Sequence, residues 1–138
     1  MNYISAEEFL KQPKEIQGVL LEWWQPQRFD LFNTVYGDTS VNGYFQGKLY
    51  YSRKCGGTIL EESYLKKNAT PLFQMHQLIE FIEDITNCKI INIYYFDKGN
   101  CYNITLENNE VAKTIESSKN NLLYALWEVA CNIVECEV

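Results

Sequence analysis

His76 is the only histidine in the chain, so a nucleophilic triad would have one possible base and a zinc site would have to be built mostly from thiolates. The five cysteines, Cys55, Cys88, Cys101, Cys131 and Cys136, are odd in number and widely spread, and none has the pair spacing of a zinc or dithiol redox motif. Cys131 and Cys136 are five apart and fall on different faces of a helix. Cys88 and Cys101 flank a probable strand pair and could approach each other, although a reducing compartment would keep them open. Glu80, Glu83 and Asp84 could form a carboxylate pair for acid and base work. Three acids along one side of a helix more often form a solvated face. Gly56-Gly57 lacks the lysine and hydroxyl residue that complete a phosphate-cradling loop. These residues call for no catalytic centre, cofactor or metal. One basic cluster, Arg53, Lys54, Lys66 and Lys67, is the alternative site for an anion or nucleotide.

Aromatic residues make up 14% of the chain, more than its buried stripes can absorb. Neighbours on a strand point to opposite faces, and Trp24 lies beside the apolar line of its helix. Trp24, Tyr50, Tyr51, Phe81 and Tyr124 are therefore expected to leave some ring surface in water. With Glu80, Asp84 and Glu128 they make up the expected partner-binding surface, since exposed aromatic patches mark contact sites.

The elements that must position these groups follow from pattern. A first helix is announced by Ser5 and Glu8, which have the spacing of a capping box. A second runs from Pro13 to about Trp24, with Ile16, Val19, Leu20 and Trp23 on one stripe, and Pro26 ends it. Residues 28 to 67 turn to β-branched and aromatic residues broken by glycines, with Leu31 to Tyr36, Tyr44 to Gln46 and Lys48 to Ser52 as strands. Thr70-Pro71 is expected to open a third helix, apolar at Met75, Leu78, Ile79, Ile82 and Ile85, which ends near Asn87. Three strands follow as a meander, Lys89 to Phe96, Cys101 to Leu106 and Val111 to Ile115. A last helix, about Asn120 to Glu135, buries Leu123, Leu126, Trp127, Ala130, Ile133 and Val134. The expected fold is α+β, one domain over 1–138 with about four helices on a mainly antiparallel sheet.

A chain of 138 residues that is 46% apolar and 22% charged can build one core without staples. The net charge of −6 comes wholly from the second half, where residues 68–138 hold ten acids and four bases. That sign repels phosphate backbones and favours basic partners, which argues against direct nucleic-acid binding. No leader pattern or long apolar run appears, so the expected location is the cytosol, with no membrane contact.

Three segments, YISAEEFLKQPKEIQGVLLEWWQP (3–26), LIEFIEDITNCKI (78–90) and LLYALWEVACNIV (122–134), carry a resemblance. In type and order they resemble small proteins carried by phages and prophages of Gram-positive bacteria such as clostridia, a group with no known activity. The stretch 27–77 is then the variable part, and Phe73-Gln74-Met75 departs from the more polar helix start of that group. The resemblance implies a host bacterial cytosol and, as partner, a host protein such as a component of a defence system. The function expected is a non-enzymatic binding protein that inhibits such a system, with a small-molecule or nucleotide binder and a phage assembly accessory as alternatives.

Overall fold

The computed structural model describes residues 3–27, 30–33, 39–41, 43–45, 48–50, 59–60 and 67–137. It is an α+β fold, as the pattern indicates, and every described strand pairing is antiparallel. The strands are divided among three three-stranded sheets. Chain contacts separate two compact units, Ser5–Phe73, and Met1–Ile4 with Gln74–Val138.

In the Ser5–Phe73 unit, helix α1 (Ala6–Leu10) starts where Ser5 Oγ accepts from the Glu8 amide, the hydrogen bond that the capping spacing predicts. Helix α2 (Lys14–Trp23) begins after Pro13. Gln17 is buried in α2, and its Nε2 donates to the carbonyls of Leu10 (3.2 Å) and Gln12 (2.7 Å). It thereby satisfies the open end of α1 and fixes the turn between the helices. Strands β1 (Leu31–Asn33), β2 (Thr39–Val41) and β6 (Thr70–Leu72) form one sheet in the order β2-β1-β6. Strands β3 (Gly43–Phe45), β4 (Lys48–Tyr50) and β5 (Ile59–Leu60) form a second. Phe9, Ile16, Leu20, Phe32, Leu72 and Phe73 fill the interior, with the Phe73 ring 6.2 Å from both Phe9 and Trp23.

Thr70-Pro71 does not open a helix. It lies in β6, opposite Asn33 and Phe32. Proline drives the preceding residue to extended backbone, and an edge strand tolerates its missing N–H, so the dipeptide suits β6 better than a helix start. Helix α3 begins only at Met75, and the Gln77 side chain accepts from the Gln74 amide at 2.8 Å.

The second unit packs α3 (Met75–Thr86) and α4 (Leu122–Glu137) against each other and against a meander of β7 (Lys89–Phe96), β8 (Cys101–Glu107) and β9 (Ala112–Ser117). Asn87 ends α3 with φ 54°, a left-handed conformation that asparagine tolerates better than most residues. Asn121 starts α4 by accepting from the Tyr124 amide. All six residues expected to be buried on α4 are buried, and so are Ala125, Val129 and Cys131, so this helix is apolar over most of its circumference. Ile104 and Leu106 of β8 supply the sheet side of the core.

Candidate interaction surface

Strand β7 is one of the two edges of its sheet and reads KIINIYYF, an almost unbroken apolar run. Its register with β8 pairs Ile93 with Ile104 and Tyr95 with Tyr102 on the core side. Tyr94 pairs with Asn103 and Phe96 with Cys101 on the opposite side. The chain keeps apolar residues on both faces, and only one face can be covered. Tyr94 is 53% exposed and Phe96 40% exposed, while Ile91, beside a bulge between Ile90 and Asn92, is 55% exposed. The rest of this outer face is polar, carrying Asn103, Glu116 and a Thr105–Thr114 hydroxyl contact of 3.0 Å. An aromatic patch with a polar surround has the anatomy of a protein contact site.

At the start of β7 lies a cleft of about 530 Å³ lined by Glu83, Asp84, Asn87, Lys89, Glu107 and Asn108, among others. Glu83 sits near the C-terminus of α3, where the helix dipole disfavours an acid. The geometry resolves this conflict, because its Oε2 accepts from the Ile90 amide at 2.9 Å and its Oε1 lies 3.6 Å from Lys89 Nζ. Asn108 organises the opposite wall. Its Nδ2 donates to the Asn87 carbonyl, and its Oδ1 accepts from the amides of Glu110 and Val111. Among the described residues that line it, Glu83, Asp84 and Glu107 are acidic and Lys89, paired with Glu83, is basic, so the lining is net acidic.

The expected contact residues divide. Trp24 is 1% exposed and its Nε1 donates to Asp30 Oδ2 at 3.1 Å, so it is a core residue. Helical spacing misplaces it because Trp24 is the C-cap of α2, with ψ 116°; the chain has already left the helix and swings the ring inward. Phe81 is likewise core, fully buried with Leu78 and Ile82, because α3 packs on both α4 and β7 and buries a wider arc than one stripe. Met75, expected on the apolar face, is exposed instead. Glu80 and Asp84 are exposed and Tyr124 is half-buried. Glu128 is occupied within the fold, accepting from the Ser118 amide and lying 3.9 Å from Lys119 Nζ. Tyr50 is placed by its backbone in β4, opposite Gly43 and Ile59. Tyr51, Arg53, Lys54 and Lys66 lie outside the described residues; Lys67 is exposed.

Ile91, Tyr94 and Phe96 were not singled out by sequence. The available signal was the missing alternation in β7, which requires one apolar face to remain uncovered when a sheet packs on one side only.

No family model, no curated protein and no solved structure matches the chain.

His76 is exposed on α3, and among the described residues no group of three histidine, cysteine or acidic side chains is placed to hold a metal ion. Cys88 and Cys101 do not meet. They stand at opposite ends of the β7–β8 hairpin, separated by the length of an eight-residue strand, roughly 25 Å at 3.3 Å per residue. Burial raises the Cys101 thiol pKa, and the neighbouring Glu116 carboxylate raises it further, so it is a poor nucleophile at neutral pH. Timed alkylation followed by peptide mass analysis at pH 7.5–8 should therefore modify exposed Cys136 first, with buried Cys88, Cys101 and Cys131 lagging by about tenfold or more. Equal rates at Cys101 and Cys136 would contradict this placement.

Proposed function

We propose that the chain is a non-enzymatic binding protein, encoded by a phage or prophage, that attaches to a host protein and alters its activity, with a component of a bacterial defence system as the specific target class. The observation that supports this reading is the uncovered aromatic face of β7, with Tyr94 and Phe96 in water and Ile91 exposed at the bulge beside it. Large rigid rings contribute contact area at low entropic cost, and leaving three apolar side chains exposed brings no benefit to the free fold. The acidic cleft beside them favours a partner with a basic rim, for which charge attraction speeds encounter and sets orientation.

The test is paired capture from host lysate with the full chain and with a Tyr94→Ser/Phe96→Ser variant. Both residues lie on the outer face, so the variant should keep its helix and sheet content by circular dichroism. The wild-type chain is expected to retain one defined host protein, released by raised salt, and the variant to lose it at least about tenfold. Recovery of the same protein by both forms, or of none by either, contradicts the reading.

A further inference from the structure

We propose that β7 is a self-pairing edge: two copies of this chain associate by antiparallel alignment of their β7 strands, and Lys98 of each copy seats at the acidic cleft of the other. This goes beyond the host-binding reading and does not depend on it.

Among the described residues, β7 is hydrogen-bonded to a strand on the β8 side alone. Natural edges are usually blunted by charge, proline or a bulge. Here that protection covers only the beginning of the strand, where Glu83 takes the Ile90 amide and the bulge interrupts the register. Past it, Asn92–Phe96 pairs with β8 in unbroken register and carries no charge, proline or glycine. Five regular residues therefore present an edge with no partner strand among the described residues.

Charge selects a second copy as the occupant. An antiparallel strand pair related by a two-fold axis normal to the sheet brings the start of each β7 to the hairpin tip of the other. With the axis at Tyr94, Asn92–Phe96 of one copy pairs with Phe96–Asn92 of the other, and the turn that carries Lys98 comes beside the bulge and strand start of the second copy. The Ile90 amide there is held by Glu83, which lines the cleft, so this register brings the exposed Lys98 ammonium to the mouth formed by Glu83, Asp84 and Glu107. The contact is made twice by symmetry. The same axis keeps outer face with outer face, turning two three-stranded sheets into one of six strands and joining both pairs of Tyr94 and Phe96 into a single stripe. A five-residue strand pair with two flanking ion contacts is small, so the dimer is a weak one, with a Kd on the order of ten micromolar.

Sedimentation velocity of the full chain from about 1 to 200 μM should show a reversible monomer–dimer equilibrium in that range. Lys98→Glu and Asp84→Lys are surface changes, checked for folding by circular dichroism, and each alone should weaken the dimer about tenfold. Combined, they re-create opposite charges across the axis and should restore dimerisation to within about threefold of wild type. A chain that stays monomeric throughout overturns the proposal, and so does a dimer that ignores both single changes. A monomer that still captures its host protein through Tyr94 would place self-pairing, and not host binding, in error.

Discussion

Phe81→Ala is expected to destabilise the chain by about 3–5 kcal/mol, the usual cost of emptying a fully buried aromatic site. Phe81 is 0% exposed and sits on α3 between Leu78 and Ile82, with α4 and β7 packed around that helix. Removing the ring forfeits its transfer from water and leaves a cavity that the two helices and the sheet can close only in part. At roughly 2–4 °C per kcal/mol for a chain of this size, the midpoint of thermal unfolding should fall by about 6–20 °C. Differential scanning calorimetry gives the value directly. A near-neutral result would mean that the ring is a surface group, and that the register of α3 is wrong.

Asp30→Ala is expected to cost about 2–3 kcal/mol, by a different mechanism. Asp30 is buried, and its Oδ2 accepts from Trp24 Nε1 at 3.1 Å and from the Gln27 amide at 2.8 Å, closing the chain back after α2. Alanine removes the acceptor while leaving the indole N–H buried, so the donor keeps its desolvation cost without the compensating bond. Asp30→Asn retains a carbonyl oxygen of the same reach and should cost clearly less. Urea unfolding followed by tryptophan fluorescence separates the two variants, because the indole of Trp24 is itself the perturbed group. Equal losses for alanine and asparagine would show that the carboxylate acts through something other than these two hydrogen bonds.

Local chemistry explains why parts of the fold were legible in the sequence. Ser5, Pro13, Asn87 and the Asp97–Asn100 turn each act on their immediate neighbours, so the ends of α1, α2, α3 and β7 follow from residues within one or two positions. The six apolar positions of α4 follow from helical period alone. Trp24 and Thr70-Pro71 were misplaced because their conformations are set from a distance: Trp24 by Asp30 after the helix has ended, and Pro71 by Phe32 across the sheet. Of the expected surface, Glu80 and Asp84 are in water, whereas Trp24 and Phe81 are interior. Ring surface stands in water at Tyr94 and Phe96, and which rings are exposed depends on which sheet face the helices cover. Periodicity within β7 carries no information on that choice, since both of its faces are apolar.

The account rests on that choice of face, and hydroxyl-radical footprinting of the free chain with residue-level mass analysis tests it most directly. Tyr94 and Phe96 should be oxidised rapidly, while Trp24 and Phe81, despite the high intrinsic reactivity of their rings, should be protected. Rapid oxidation of Trp24 and Phe81 with protection of Tyr94 and Phe96 would contradict the assignment of β7 as the uncovered face.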